Sequence, residues 1–233
     1  MGLGSEYWHE IIEVLRKIIP VYDKVNMVVS FGTIQNLRER GIKILVNKLL
    51  DNNDPIILDA GSGYGNMSDT LLKMNNNVRI VMIDPIAEML MLAKERLPKL
   101  DKASSVFEYL PFKDKIFDGV MCGYSFRDSL NYNNAIDEFA RVLKDDGILV
   151  IVDLTKPDNR FYRSAIGLYL KIGLPFLAFI VAGRLGLMFK AVYGTWKKMP
   201  TNNYIIKLLS KRFRNVERYT ILFGGASVFI ASK

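Results

Sequence analysis

The chain has 233 residues, half of them hydrophobic, with a formal net charge of +8, one cysteine and one histidine. That size and apolar content suit one α/β domain with an insertion or two and a sizeable buried core. The lone Cys122 excludes an internal disulfide, fits a reducing compartment, and sits in a strand-like run where it reads as core packing. With one His and one Cys, a zinc or iron site is not expected. Met1 to Ile19 mixes Glu6, His9, Glu10 and Glu13 with apolar residues and does not read as a secretory signal. Charge is uneven: residues 156–233 carry 14 Lys/Arg against Asp158 and Glu217, whereas residues 1–155 carry 18 against 22 acids. The basic part suits an anionic partner, a membrane surface or nucleic acid, or else presents a solvated basic face.

Along the chain, an amphipathic helix is expected over Tyr7 to Ile19, ending at Pro20. A second runs from Ile34 to Leu50, with Ile42, Leu45, Val46 and Leu49 on one face, and the turn Asp51-Asn52-Asn53-Asp54-Pro55 closes it. Ile56 to Ala60 is a short apolar run suited to a buried parallel strand. Helix-compatible sequence follows through Leu72. Val78 to Ile83 reads as a strand, Glu88 to Leu97 as a helix, and Ser105 to Glu108 as a weak strand. Phe117 to Tyr124, a helix over Asn133 to Leu143, and Ile148 to Leu154 complete the βαβ rhythm. That rhythm predicts a parallel sheet with helices on both faces.

The last elements break the rhythm. Val216 to Phe223 and Ala226 to Ser232 are strand-like runs joined by Gly224-Gly225, a two-residue hairpin link. A parallel sheet ending in an antiparallel pair is a feature of class I methyltransferases that plain dinucleotide folds usually lack. Between Thr155 and Asn215 the sheet needs no residues. This insertion holds an apolar patch, Ile172 to Gly183, flanked by Lys171 and Arg184 and interrupted by Pro175. It is shorter than the roughly 20 residues of a membrane span. It is expected to form a lid whose patch either meets a membrane surface or packs on the sheet edge or on a second subunit.

The run Leu58-Asp59-Ala60-Gly61-Ser62-Gly63-Tyr64-Gly65 follows an expected strand and opens a helix. Glycines there let the backbone turn tightly and approach a ligand. A nicotinamide fingerprint places its third glycine where this chain has Asn66. The GxGxG spacing with an acid just before it fits S-adenosylmethionine better, since that cofactor has no pyrophosphate to cradle. Asp84, 19 residues after Gly65, ends the second strand. It can hold both ribose hydroxyls or cap the next helix.

Several separate blocks resemble the ubiquinone/menaquinone biosynthesis C-methyltransferases. Tyr22-Asp23-Lys24-Val25-Asn26, Ser30-Phe31-Gly32 and Arg38 resemble that family's YDxxN…SFG…WR opening. Leu110-Pro111-Phe112 with Phe117-Asp118 resembles its LPF…FD block, and Tyr124-Ser125-Phe126-Arg127-Asp128 stands where it has FGLRN. Ala135 to Gly147 resembles ALxExxRVLKPGG, and Val152 to Pro157 resembles LEFSKP. The chain departs from the family at Ile34 for His, Leu37 for Trp and Asp128 for Asn. It has Val106-Phe107 where the family has an amide or acid and then Ala, and the late YxYLxxSI stretch is faint around Tyr193.

The resemblance implies a Rossmann-like class I methyltransferase fold in one domain, residues 1–233. Helices over 1–50 would cover the cofactor, 51–155 form the binding core, 156–215 a basic apolar lid, and 216–233 the hairpin. It implies S-adenosyl-L-methionine held by Tyr22, Asp59, Gly61, Gly63, Tyr64, Gly65, Asp84, Pro85 and Gly123, with backbone groups of Val106 and Phe107 at the adenine. Tyr22 also suits plain packing. Arg127 and Asp128 become the catalytic pair. Arginine, with a pKa above about 12, is a poor base, so Arg127 suits an oxyanion clamp or a water-holding role and Asp128 a base. The same pair would alternatively only fasten the loop.

The expected reaction is C-methylation of a lipophilic quinol-like acceptor. A lipid or small-molecule amine or hydroxyl is the alternative, and a cofactor-binding sensor without turnover is the non-enzymatic reading. RNA modification is disfavoured, because the basic segment is equally apolar and no NPPY motif is present. The expected location is cytoplasmic with peripheral membrane contact, and a homodimer is open.

Overall fold

Three helices, α1 (Ser5–Ile18), α2 (Tyr22–Val29) and α3 (Thr33–Lys48), precede the sheet. Strands and helices then alternate: β1 (Ile56–Ala60), α4 (Asn66–Met74), β2 (Arg79–Ile83), α5 (Ala87–Arg96), β3 (Asp101–Ala103), β4 (Phe117–Gly123), α6 (Tyr132–Val142) and β5 (Leu143–Leu154). The insertion is helical, α7 (Arg160–Leu168), α8 (Leu174–Ala182), α9 (Lys190–Lys198) and α10 (Asn202–Leu209), before β6 (Asn215–Ile221) and β7 (Ala226–Ser232). This computed structural model describes residues 1–30, 32–49 and 53–233. Phe31 of the Ser30-Phe31-Gly32 motif, and Leu50, Asp51 and Asn52 of the expected helix end and turn, lie outside the described residues.

Among the described residues the sheet has seven strands in the order β3-β2-β1-β4-β5-β7-β6. The first five run parallel, and β7 is antiparallel to both β5 and β6. The class I methyltransferase architecture follows from that order. Its central strands are buried on both faces, as continuous apolar runs such as Val120–Cys122 and Leu149–Val152 require. One face packs on Tyr132, Ile136 and Phe139 of α6 and Leu208 and Leu209 of α10. The other packs on Leu37, Ile42 and Leu45 of α3 and Leu71 of α4. Strand order reverses between β1 and β4, which opens a crevice at the carboxyl ends of the strands.

Three local expectations are corrected. The third strand is Asp101–Ala103, pairing with Val81–Ile83, not Ser105 to Glu108. Residues after it turn instead, with Tyr109 N donating to Val106 O. The β6–β7 link is not a two-residue Gly-Gly turn. Leu222 to Gly225 form it, with Leu222 and Phe223 at φ 51° and 53° and Gly225 N bonded to Leu222 O. Nor does Pro175 interrupt the apolar patch. Residues 169–173 form a π turn in which Leu174 N reaches back to Tyr169 O. The wider turn accommodates the N–H that proline lacks, so the helix continues from Arg160 to Ala182. By length and composition the helical run Arg160–Lys198 is long and apolar enough to cross a membrane.

A third core joins the two ends of the chain. Ile18, Val25 and Val29 from α1 and α2 pack with Leu170, Leu174, Ala178, Phe189 and Trp196 from the insertion. The amino-terminal helices and the insertion therefore build one cap over the crevice. A tight point in it is Gly186, in the turn of residues 183–189 that folds back on α8. A Cβ there would fall on the backbone carbonyl of Ala178. Gly186→Ala should cost about 2 kcal/mol, within the range for overpacking, seen as a lower urea midpoint with an unchanged slope. An unchanged midpoint would mean that α8 and this turn are not held in contact.

Candidate active site

The first wall of the crevice is the turn after β1. Gly61, Gly63 and Gly65 all have left-handed φ, at 67°, 54° and 93°. At Gly61 the need is doubled, because a Cβ would strike Ser125 Oγ and come within 2.7 Å of Phe107 Cζ. Asp59 lies beneath this turn. Its Oδ2 accepts Ser68 N at 3.2 Å and Ser68 Oγ at 2.6 Å, which ties the turn to the first residues of α4. Burial pushes its carboxyl up to about 7, and its Oδ1 is buried with no hydrogen-bond partner among the described residues.

Asp84 stands at the end of β2 and faces the crevice. Its Oδ2 accepts Gly63 N at 2.9 Å and its Oδ1 accepts Ile86 N at 2.8 Å. The Ile86 contact lies ahead of α5, whose N-cap is Ile86 itself, so Asp84 sets the glycine turn and does not cap the next helix. An ionised carboxylate offers about four lone-pair sites, so acceptor capacity remains on the crevice side. Burial pushes this carboxyl up to about 6.

The opposite wall is the loop after β4. Gly123 closes the strand against Met67, and Tyr124 follows in left-handed backbone at φ 60°. Tyr124 is anchored by its hydroxyl, which donates to Ile34 O at 2.9 Å. Arg127 is buried and donates from Nη1 to Asp153 Oδ1 at 2.7 Å and to Tyr124 O at 2.6 Å. Its backbone N–H donates to Asp153 Oδ2 at 2.9 Å. Asp153 itself, on β5, is fully buried. Burial pushes the Asp153 carboxyl up while Arg127 draws it down, whereas Asp128 and Asp153 hold the guanidinium in its charged form.

Among the described residues Arg127 Nε has no hydrogen-bond partner, and neither does Asp128 Oδ1, 3.7 Å away. Asp128 is pushed up to about 6 by burial, partly offset by Arg127 and the Thr195 hydroxyl beside it. A buried donor and a buried acceptor, both unsatisfied and adjacent, are costly unless a ligand completes them.

The cap closes the cavity, whose volume is about 1100 Å³. Tyr22 stacks on Phe189, ring centroids 6.3 Å apart, and both line it with Leu174 and Thr195. Of the residues expected from sequence, Tyr22, Gly61, Gly63, Tyr64, Asp84, Gly123, Arg127 and Asp128 line this one cavity. Asp59, Gly65, Pro85, Val106 and Phe107 are not on its wall. Asp59 is turned down to Ser68, and Gly65 faces Leu97. Pro85 passes between two lining residues, Asp84 and Ile86. Phe107 is buried behind Gly61, edge-on to Phe139 at 5.6 Å, and the Val106 carbonyl is taken by Tyr109 N.

Sequence reasoning did not single out Asp153, Thr195 or Phe189. A lone acid inside an apolar strand was an available sign of Asp153, since such a carboxylate needs a partner. Nothing local marks the other two.

These residues fit S-adenosylmethionine. Gly63 leaves open space where any side chain would stand, and the Asp84 carboxylate faces that space. Comparison with known proteins agrees. The profile of the ubiE/COQ5 methyltransferase family matches residues 2–233. The chain is 30% identical over 230 residues to the ubiquinone/menaquinone biosynthesis C-methyltransferase UbiE of Campylobacter jejuni, covering 96% of this chain and 97% of that one. It is 25% identical to the demethylmenaquinone methyltransferase of Thermotoga maritima, covering 98% of each. In fold it is similar to a solved SAM-dependent methyltransferase of Thermotoga maritima, with TM-score 0.64 and 15% identity over 97% of this chain and 99% of that one. The chain belongs to the ubiE/COQ5 methyltransferase family and is an S-adenosylmethionine-dependent methyltransferase.

Proposed function

We propose that this protein methylates a ring carbon of a lipophilic quinol, with Arg127 and Asp128 as the catalytic pair. The observation that carries this reading is Arg127 Nε beside Asp128 Oδ1, 3.7 Å apart and both buried without a hydrogen-bond partner among the described residues, in two side chains that help line a cavity otherwise formed by groups such as Leu174, Phe189 and Val29. The names of the Campylobacter and Thermotoga relatives support it.

S-adenosylmethionine supplies an electrophilic methyl group that needs only in-line alignment with its acceptor. The chain supplies the rest. Asp128 Oδ1 accepts the proton of the acceptor's hydroxyl. Arg127 Nε donates a hydrogen bond to the resulting oxyanion and stays charged throughout, since burial disfavours its cation but the Asp128 and Asp153 carboxylates outweigh that cost. The aryl oxide raises electron density at the neighbouring ring carbon, which an amine or alcohol acceptor would not require. As that carbon takes the methyl from sulfur, its own hydrogen shifts to the oxygen and restores the aromatic quinol, and Asp128 releases its proton to solvent. Asp153 is a positioning residue. It holds the Arg127 backbone N–H and Nη1, which leaves the Nε edge of the guanidinium beside Asp128 for the ligand. Tyr22, Leu174 and Phe189 exclude water, and Asp84 with Gly63 binds the cofactor's ribose. The buried, reduced Cys122 suits a cytoplasmic location.

Four outcomes are expected. With deuterated-methyl cofactor and a reduced demethylmenaquinone analogue, mass spectrometry should show the acceptor gaining one labelled methyl. Label found only on amines or alcohols of a lipid extract would overturn the reading. Asp128→Asn should lower kcat at least about 100-fold with little change in KM, as expected for a general base. Because the base acts ionised, wild-type kcat at saturating cofactor should climb with pH through about 6, and that rise should vanish in the variant. A wild-type kcat flat from pH 5 to pH 8 would remove Asp128 from proton transfer. Finally, Asp84→Ala should weaken S-adenosylhomocysteine by about 1.5–3 kcal/mol, the range for hydrogen bonds to a charged group. Unchanged affinity by calorimetry would remove Asp84 from the ribose site.

A further inference from the structure

The helix from Arg160 to Ala182 is apolar on two opposite sides. Leu170, Leu174 and Ala178 are buried in the cap core. Phe161, Leu168, Ile172, Phe176, Phe179 and Ile180 face outward and fall on one stripe along the helix. Phe176 is 61% exposed and Ile180 65%. Most of this apolar stretch is unburied. The helix is about 34 Å long, yet its inner side is committed to the core and the chain turns back at Gly183. It is therefore built to lie along an apolar boundary, since contiguous apolar patches of this extent are rarely left in water.

Charge identifies the boundary. A second cavity, of about 390 Å³, opens beside Leu168 and Lys171, so it borders the stripe. Lys156, Arg163, Lys171 and Lys197 line it with Trp196, and among the described residues no acid does. Lys156 Nζ donates to Lys197 O at 2.7 Å and lies 5.5 Å from the Trp196 ring centre. Burial and the neighbouring Arg163 and Lys197 push the Lys156 ammonium down, a repulsion that a bound anion relieves. Four cations around a hollow, next to an exposed apolar helix, match a phosphate at the edge of an acyl layer.

We infer that residues 160–182 dock flat on an anionic phospholipid bilayer, with the outer stripe in the acyl boundary and a lipid phosphate in the Lys156–Arg163–Lys171–Lys197 pocket. The main cavity then opens toward the bilayer. Met27, Leu222 and Phe223 line that cavity and are exposed at its rim. Tyr162 stacks on Phe223 at 4.5 Å and meets Phe161 at 5.7 Å, which joins the rim to the stripe. Leu222 and Phe223 are held outward in left-handed backbone, strain of a kind that collects at ligand-contacting sites. A lipophilic molecule would pass from bilayer to cavity without crossing water. The docking does not depend on the acceptor's identity, so it stands or falls separately from the quinol reading.

Vesicle co-sedimentation of the full chain tests it. Binding should be strong to vesicles of phosphatidylcholine mixed with phosphatidylglycerol, weak to phosphatidylcholine alone, and reduced by salt. Arg163→Gln with Lys171→Gln should weaken binding about 30-fold, at about fivefold per cation. Ile172→Ser with Phe176→Ser should abolish it. Both variants should keep wild-type affinity for S-adenosylhomocysteine, which shows that they fold. Four results would overturn the inference: equal binding to neutral and anionic vesicles, no binding to either, wild-type binding by the Ile172→Ser/Phe176→Ser variant, or release of bound protein by millimolar inorganic phosphate alone. Absent vesicle binding with a dimer that Ile172→Ser/Phe176→Ser splits would assign the stripe to a second copy. Absent vesicle binding with tight, salt-sensitive RNA binding would assign the cations to nucleic acid.

Discussion

The site rests on one buried ion pair, Arg127 with Asp153. Asp153 has no solvent exposure, and its two oxygens accept from Arg127 N, Arg127 Nη1 and Leu154 N. An isolated carboxylate there would be prohibitive; with its partner in place the charge is tolerated, and the geometry becomes nearly unique. The same contact fixes the loop after β4, because Arg127 Nη1 also holds Tyr124 O and Tyr132 Oη donates to Arg127 O. What remains free on the guanidinium is the edge beside Asp128. The pair therefore converts a flexible cation into a directed one.

The second constraint is topological. The crevice between β1 and β4 exists because strand order reverses there, and the glycine turn and the Arg127 loop fill its two sides. Neither wall excludes water by itself. That task falls to the cap, whose core is shared by α1, α2 and the insertion. Trp196 Nε1 donates to Thr155 O at 2.8 Å, and Thr155 Oγ1 to Gly224 O at 2.9 Å, so the cap is pinned to the end of β5 and to the β6–β7 turn. The helix that lines the cavity with Leu170 and Leu174 is the one that turns Phe176 and Ile180 outward.

Legibility in the sequence follows how local each cause is. The strand Ile56–Ala60 and the helix Tyr132–Val142 are readable because burial imposes apolar runs and periodicity directly on the chain. The glycine turn is readable because its backbone excludes side chains. The strand Asp101–Ala103 is hidden, since a short polar edge strand is set by its partner β2 rather than by its own residues. Pro175 misleads, because the π turn that accommodates it is a property of the whole helix. Asp59 looks like a ligand by position and is turned to Ser68 instead. Thr195 and Phe189 reach the site only through tertiary packing of the cap, which no local pattern encodes.

Where the transferred methyl group ends up tests the central claim most directly. A cofactor with a 13C-labelled methyl, incubated with the protein and a reduced quinol that has one free ring position, gives a product whose carbon NMR distinguishes a ring-bound from an oxygen-bound methyl. The roles given to Arg127 and Asp128 require the ring-bound resonance in the wild type and its loss in Asp128→Asn. A methyl resonance on oxygen, or a ring-bound product undiminished by that substitution, would contradict them.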